Sequence, residues 1–272
     1  MSIIEAILLG IVQGLTEFLP ISSSGHLVLG QELLGIVHQK DIAFEVFVHF
    51  GTLISVVGMF WKDIHLIILS IAQVISHPSK IKSIYKENYH FRIAVYIIIG
   101  SLPAGIIGFM FKNEVEFLFN DPKFVAVMLL ITGLILFLTK FSNPREDSKV
   151  GLASAIIIGF AQAVAIIPGI SRSGITISTG LFSRVSPAHA ARFSFLLSLP
   201  VIFGATVLEA KELLAVPLPA ERFLILFVGT IVAAISGYIA IKLVLGILQK
   251  KKFSWFAYYC FLVGILGIFF IG

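Results

Sequence analysis

Two similar stretches, each interrupting a long apolar run, decide the fold. Residues 8–25 read LLGIVQGLTEFLPISSSG, and residues 157–174 read IIGFAQAVAIIPGISRSG. They align without gaps at an offset of 149 residues and share six identical pairs in 18 positions, where chance would give about one or two. Each contains a proline followed by serine- and glycine-rich backbone, which breaks a helix. The sequence therefore predicts an internal repeat built around two helix breaks.

The composition around these stretches is that of a membrane protein. Of the 272 residues, 58% are hydrophobic and only 13% are charged, and the mean hydropathy is +1.02. A soluble domain is about 45–50% apolar and about 25% charged. A soluble enzyme and a disordered chain are therefore excluded, and the single cysteine, Cys260, excludes a disulfide scaffold. We predict an all-α fold, a polytopic integral membrane helical bundle.

The apolar runs have the length of membrane helices rather than of barrel strands. A segment at 64–75 is shorter and is expected to be an interfacial or partial helix, whereas 76–92 and 140–149 are expected to be polar loops. Long apolar stretches lie near 3–19, 42–61, 93–111, 124–139, 150–170, 193–208, 223–248 and 253–271.

The basic residues predict how the chain is oriented. They cluster in the loops 62–92 and 140–149 and at Lys250–Lys252, which the positive-inside rule assigns to the cytoplasm, leaving 112–123 outside. Equivalent points of the two repeats then fall on opposite sides of the membrane. Inverted-topology repeats place their sites near the midplane, where broken helices from both halves meet. We therefore predict two re-entrant helix hairpins whose tips converge, and six full spans.

The predicted organisation is a single membrane domain over residues 1–272. Repeat one covers about 1–75 and repeat two about 150–222, and the remaining spans lie within 93–139 and 223–271. The net charge of +5 is spread over many loops, which suits anionic headgroups and does not form a nucleic-acid patch.

The first break carries polar residues that are rare inside a membrane. Gln13 and Glu17 are four residues apart and share a helical face, and Ser22, Ser23 and His26 follow the proline. An ionisable residue within a span costs at least about 2.5–3.5 kcal/mol and therefore normally marks a site. A histidine here can act as a general acid or base near neutral pH. The alternatives are a headgroup-level carboxylate for Glu17 and a helix-capping role for His26.

The second break supplies an anion-binding set. Arg172 carries a permanent charge and a fork of donors suited to phosphate oxygens, and the hydroxyls of Ser171, Ser173 and Thr176 and the backbone at Gly174 lie beside it. The alternative is an arginine that extends to the headgroups. Together the two breaks suit an anionic phosphate ester better than an alkali ion or an apolar solute.

These residues also carry a family resemblance. Residues 13–27 (QGLTEFLPISSSGHL) resemble the first signature of the bacterial undecaprenyl-diphosphatase family, the bacitracin-resistance membrane phosphatases, and residues 168–176 (PGISRSGIT) resemble its second. The pair Phe44-Glu45 and the stretch 193–196 also match the family pattern, so the resemblance covers essentially the whole chain. Two signatures of this length are highly specific.

The resemblance implies an enzyme that hydrolyses undecaprenyl diphosphate to undecaprenyl phosphate and inorganic phosphate. It would thereby recycle the lipid carrier for cell-wall synthesis and confer bacitracin resistance. It implies a multi-pass protein of the bacterial inner membrane, with a site open to the outer face and a divalent cation, Mg²⁺ or Ca²⁺. The family's acidic motif begins here with Gln13, so Glu17 is its only carboxylate. A second metal donor would be Glu45 or the substrate oxygens.

The mechanism expected from this resemblance uses both breaks. The attacking group is either Ser23, activated by His26, or a water activated by Glu17 or His26, and the serine is favoured. Glu17 would hold the metal and Arg172 would neutralise the phosphoryl oxygens. The further residues expected to contact the substrate are Gln13, Ser22, Ser171, Ser173, Gly174 and Thr176.

Two other functions fit part of the pattern. Inverted repeats with broken helices are typical of transporters, so a flippase of undecaprenyl phosphate is the main alternative, and a scaffold or channel subunit is the third. Phosphate release from a lipid diphosphate in detergent, where no second compartment exists, distinguishes the enzyme from both. The sequence does not define the oligomeric state, for which a homodimer is one candidate.

Overall fold

The computed structural model describes residues 1–33, 42–213 and 220–270. Within these ranges the chain forms thirteen α-helices and three short 3-10 helices, without a strand. The predicted all-helical fold class is therefore confirmed. The helices are α1 (Ile3–Phe18), α2 (Ser23–Leu33), α3 (Ile42–Met59), α4 (Trp61–Ser76), α5 (Ile81–Glu87), α6 (Tyr89–Met110), α7 (Lys112–Leu118), α8 (Pro122–Leu138), α9 (Leu152–Val164), α10 (Arg172–Phe182), α11 (Pro187–Leu213), α12 (Ala220–Gln249) and α13 (Phe256–Phe270).

Within the described ranges, five helical segments are long and apolar enough to cross a membrane: they coincide with all or most of α6, α8, α11, α12 and α13, and have 18 to 28 residues each. The sixth predicted span, α3, meets the same test together with α4. The chain bends by 82° between α3 and α4, so α4 does not continue the span. The bend separates α4 from α3, and the interfacial position predicted for 64–75 stays a prediction.

The segment 76–92, expected to be a polar loop, contains α5 and the start of α6, and the segment 112–123, expected on the outer side of the membrane, contains α7. Asn88 caps α6 by accepting the backbone N–H groups of His90 and Phe91, so α6 begins well before the apolar run does. Ile84 of α5 is buried. Capping and tertiary burial thus produced helix where the hydropathy pattern alone predicted loop.

The two predicted repeat units have matching local structures. Residues 23–33 form α2, and the residues 149 positions later, 172–182, form α10. Gly10 of α1 contacts α12, where an added Cβ would lie 2.8 Å from the Gly229 oxygen. Gly159 of α9 contacts α6 in the same way, with an added Cβ 2.6 Å from the Gly100 oxygen. Each repeat therefore begins with a helix that packs through glycine against a long apolar helix.

One buried cluster joins elements from both halves of the chain. Phe18 at the end of α1 packs edge-on against Phe195 of α11, with ring centroids 5.8 Å apart, and the same cluster includes Ile177 and Ile241. This packing brings the end of α1 to the region of α10 and α11. The division into repeats stays a prediction, and parts of it, 34–41 and 214–219, lie outside the described residues.

Candidate active site

Both helix breaks end with a serine that caps the next helix. Ser22 Oγ accepts the backbone N–H of Gly25, and Ser171 Oγ accepts that of Gly174, both at 3.1 Å. Each capping hydroxyl also lies beside the hydroxyl two residues later, at 3.2 Å in the first break and 3.3 Å in the second. The sequence repeat is thus a repeat of hydrogen bonds. Ser22 differs in its backbone, because its φ of 68° lies in the left-handed region that is costly for a residue other than glycine.

The two breaks touch each other directly. Gly169 N–H donates to Ser24 Oγ at 3.4 Å, and Ser173 Oγ donates to the Leu19 carbonyl at 3.2 Å. Gly25 faces the second break so closely that an added Cβ would lie 3.5 Å from the Gly169 Cα. The breaks therefore meet, as predicted, whereas the re-entrant course of the hairpins through a membrane stays a prediction.

An ion pair between the breaks forms the centre of the site. Arg172 Nη2 donates to Glu17 Oε1 at 2.8 Å, and the two side chains are only 16% and 10% exposed. Ser23 Oγ and Gln13 Nε2 each donate to Glu17 Oε2 at 3.0 Å. Four of the predicted site residues thus form one network around a single carboxylate. A buried pair of this kind is strongly coupled, because removing one partner leaves the other charge unpaired at a cost of about 3–5 kcal/mol.

His26 lies beside this network without joining it. Its Nδ1 is 2.8 Å from the Ser22 carbonyl oxygen and its Nε2 is 2.7 Å from the Tyr259 hydroxyl. A carbonyl only accepts hydrogen bonds, so Nδ1 donates, and in the neutral ring Nε2 accepts from Tyr259. The hydroxyl of Ser23 is instead directed at Glu17. The side chain that contacts Ser23 in this structure is therefore Glu17, and the activation of Ser23 by His26 stays a prediction.

The sequence is similar to those of known proteins over almost its whole length. The family model of the bacitracin resistance protein BacA matches residues 6–266. The chain belongs to this family. It is 44% identical over 265 residues to a protein named undecaprenyl-diphosphatase from Salinibacter ruber, covering 97% of each chain. Proteins of the same name from Halothermothrix orenii and Methanobrevibacter smithii are 47% and 44% identical, over 100% and 98% of this chain and 99% and 96% of theirs.

Several predicted substrate-binding hydroxyls of this BacA-family protein are committed to protein partners. Thr176 is fully buried; its Oγ1 donates to the Arg172 carbonyl at 2.7 Å and lies 2.6 Å from Ser194 Oγ. These contacts shape the breaks and hold the Arg172 turn, and they do not present hydroxyls to a ligand. The polar side chains of the two breaks that stay partly exposed belong to Gln13, Glu17, Ser23, Ser24, His26 and Arg172. The buried and paired hydroxyls are those of Ser22, Ser171, Ser173 and Thr176.

The residues of this BacA-family protein do not form a metal site by themselves. No group of three or more His, Cys, Asp or Glu side chains that could hold a metal ion occurs in the described part of the chain. Both oxygens of Glu17 already accept hydrogen bonds, one of them from the cationic Arg172. A divalent cation prefers several oxygen ligands, and one saturated carboxylate does not supply them.

Two residues of the site were missed in the sequence. His49 of α3 interacts electrostatically with Glu17, and Tyr259 of α13 bonds His26. His49 had a usable signal, since an ionisable side chain in the apolar run 42–61 suggests a site. Tyr259 had none, because aromatic residues are common in membrane helices and the pairing joins positions 233 residues apart.

Proposed function

We propose that this protein hydrolyses undecaprenyl diphosphate to undecaprenyl phosphate and inorganic phosphate, so that it recycles the lipid carrier and confers bacitracin resistance. The observation that carries the proposal is the buried Arg172–Glu17 pair with Ser23 at hydrogen-bond distance. It supplies a cation for the phosphoryl oxygens, a nucleophile and a base within one apolar chain. The relatives named undecaprenyl-diphosphatase support the same substrate.

The apolar exterior suits a lipid tail and the ion pair suits its headgroup. Large apolar side chains are exposed along the long helices, for example Ile98 at 61% and Ile235 at 59%. A polyprenyl chain that lies against these apolar side chains places the charged diphosphate where it can contact Arg172. The guanidinium has five N–H donors, so it can bind phosphoryl oxygens as it loosens its bond to Glu17. Binding of the anion thereby frees Glu17 to act as a base.

The proposed attack uses the contact between Ser23 and Glu17. Ser23 Oγ bonds to the terminal phosphorus, its proton passes to Glu17, and the bond from that phosphorus to the bridging oxygen breaks. Undecaprenyl phosphate leaves with the bridging oxygen, and water then hydrolyses the phosphoserine. In the alternative, Glu17 activates a water directly. Phosphoserine trapped by rapid quench distinguishes the two routes.

The cation and the location are further parts of the proposal. Because Glu17 does not form a metal site alone, Mg²⁺ or Ca²⁺ is proposed to enter as a complex with the diphosphate, whose oxygens complete its coordination. The protein is proposed to lie in the bacterial inner membrane with the site open to the outer face. The basic loops 62–92 and 140–149, which the positive-inside rule assigns to the cytoplasm, support the orientation of the chain, and the outer-face opening rests on the family resemblance. A homodimer stays a prediction.

Phosphate release from undecaprenyl diphosphate by the purified protein in detergent tests this function. We expect release by the wild type, loss of release with a chelator, and at least a 100-fold lower rate for Arg172→Ala, because the phosphoryl charge loses its buried cation. Arg145→Ala is the matched control, since Arg145 is an exposed loop arginine, and it should keep the wild-type rate.

Two results would contradict the proposal. A wild type that releases no phosphate in detergent but moves undecaprenyl phosphate between the leaflets of a vesicle would favour the flippase. An Arg172→Ala variant with a near-normal rate and a normal melting temperature would show that the phosphate clamp lies elsewhere.

A further inference from the structure

The pairing of His26 with Tyr259 is more constrained than one hydrogen bond. The Tyr259 hydroxyl lies 2.7 Å from His26 Nε2, and the two rings are nearly parallel, with centroids 5.4 Å apart and planes at 6°. On the opposite edge, Nδ1 lies 2.8 Å from the Ser22 carbonyl oxygen. Both ring nitrogens are therefore occupied, which fixes the orientation of the imidazole.

These contacts also select one tautomer. The Ser22 carbonyl can only accept, so the Nδ1 proton is required, and the neutral ring then carries its lone pair on Nε2. In this neutral form the phenol satisfies the lone pair by donating to it, and Nε2 is the proton-accepting atom.

The helix that carries Tyr259 is itself held firmly beside the first break. Cys260, the next residue, contacts the Pro20 carbonyl with Sγ at 3.7 Å. Gly264 and Gly267 let α13 approach α8, because added Cβ atoms there would lie 2.5 Å from a Leu130 methyl carbon and 2.9 Å from the Ala126 Cβ. The hydroxyl of Tyr259 is therefore presented from a packed helix rather than from a loop.

We infer that the Tyr259 hydroxyl passes to His26 Nε2 the proton of the water that completes the reaction, while it holds the imidazole in place. This inference rests on the proposed function. Two bases then act in turn. Glu17 accepts the Ser23 proton in the first step, and His26 accepts the proton from water in the second step. Because the pairing keeps Nε2 away from Ser23, the two bases do not compete for one proton.

In the second step, water gives one proton to the Tyr259 hydroxyl oxygen as that hydroxyl gives its own proton to His26 Nε2, and the water oxygen bonds to the phosphorus of phosphoserine. The bond from phosphorus to Ser23 Oγ breaks, and Ser23 recovers its proton from Glu17. Inorganic phosphate leaves, and His26 returns its proton to solvent.

The test compares Tyr259→Phe with Tyr258→Phe in phosphate release. Phenylalanine keeps the aromatic ring and removes only the hydroxyl. Tyr258 serves as the control because it is the neighbouring exposed tyrosine, and its ring contacts Phe137. We expect Tyr259→Phe to lower kcat about tenfold, the effect of one hydrogen bond, with KM within about twofold of wild type. Tyr258→Phe should keep both constants.

Two measurements distinguish an action of Tyr259 through His26 from a general structural role of Tyr259. In the His26→Asn background, Tyr259→Phe should cause no further loss of kcat, because its effect passes through Nε2. In ¹⁵N-histidine NMR, the His26 signal, assigned by its loss in His26→Asn, should show the Nδ1–H tautomer in wild type and a mixture in Tyr259→Phe. The melting temperature of each variant reports folding.

Several results would overturn the inference while leaving the proposed function intact. One is an active wild type with an equally active Tyr259→Phe variant. Others are a multiplicative loss in the His26→Asn background and a wild-type His26 signal with the proton on Nε2. A wild type that releases no phosphate would instead overturn the proposed function, and the NMR signal would still test the pairing.

Discussion

At the scale of single residues, the two breaks have the same frame and different chemistry. The capping serines are equivalent in sequence and in hydrogen bonds, but the position of Glu17 is occupied by Ile166 in the second repeat and that of Ser23 by Arg172. One break therefore supplies the carboxylate and the hydroxyl, and the other supplies the cation. A complete site needs both breaks, because the first lacks the cation and the second lacks the carboxylate.

The glutamines of the two repeats provide a matched pair of substitutions. Gln13 donates to Glu17, whereas neither amide atom of the buried Gln162 has a hydrogen-bond partner among the described residues. We expect Gln13→Met to lower kcat/KM about tenfold by removing a donor from the carboxylate. Gln162→Met should keep the activity and leave the melting temperature equal or higher, because a buried unpaired amide costs about 1–3 kcal/mol.

Phosphate release and thermal unfolding in detergent measure the two effects. A Gln162→Met variant with a clearly lower melting temperature would show that this amide is hydrogen-bonded in the folded protein. Equal activity of Gln13→Met and wild type would remove Gln13 from the site.

At the scale of helices, the site depends on how closely α1 and α9 pack. Each of them uses a glycine to reach a long apolar helix, and each leads directly into a break. Because Glu17 is carried at the end of α1 and Arg172 begins α10, a shift in either packing changes the distance between the two charges. Helix packing and site geometry are therefore coupled.

Gly159→Ala tests this coupling, with Gly105→Ala as its control. The added Cβ at Gly159 would lie 2.6–3.0 Å from Gly100 backbone atoms, whereas Gly105 has nothing within 4 Å. Overpacking costs about 1–3 kcal/mol, so we expect Gly159→Ala to lower both the melting temperature and the rate of phosphate release. Gly105→Ala should keep the activity and gain stability slightly, since alanine is the better helix former.

The comparison also has a clear contrary outcome. If Gly159→Ala unfolds at the wild-type temperature and keeps its rate, then α6 and α9 can separate without moving Arg172. The proposed coupling between packing and site would then be wrong.

At the scale of the whole molecule, the orientation in the membrane follows from charge rather than from any contact. The segments rich in lysine and arginine follow or precede the long helices. One of them contains α4 and α5, and another is the 139–151 connection. Their side chains make few specific contacts. The membrane, and not the fold, is therefore expected to determine on which side these segments lie.

Cysteine labelling in intact cells checks the orientation. Cys260 is fully buried and should give little background. We expect a membrane-impermeant maleimide to label Asn120→Cys in intact cells and Ser79→Cys only after permeabilisation, both positions being exposed. The reverse pattern would invert the topology and with it the proposed outer-face opening.

Much of the fold was predictable because hydropathy and helix breakers act locally. The long apolar helices α6, α8, α11, α12 and α13 were predicted from composition, and the breaks at 20–25 and 168–174 from proline, serine and glycine. The short polar helices α5 and α7 were missed, since neither belongs to an apolar run: Ile84 of α5 is buried, whereas α7 buries no residue and carries an i,i+4 ion pair between Lys112 and Glu116. The site residues Glu17 and Arg172 were predicted because charge is rare inside a membrane protein.

By itself, the sequence determined the class of the protein, the two breaks and the polar residues that they carry. These depend on local properties: the cost of burying charge and the failure of proline and glycine to continue a helix. Only the tertiary structure decided which side chains pair. Glu17 meets Arg172 across 155 positions and His26 meets Tyr259 across 233, and such pairings follow from the packing of whole helices. That packing, and no local pattern, assigned Ser23 to Glu17 and His26 to a tyrosine.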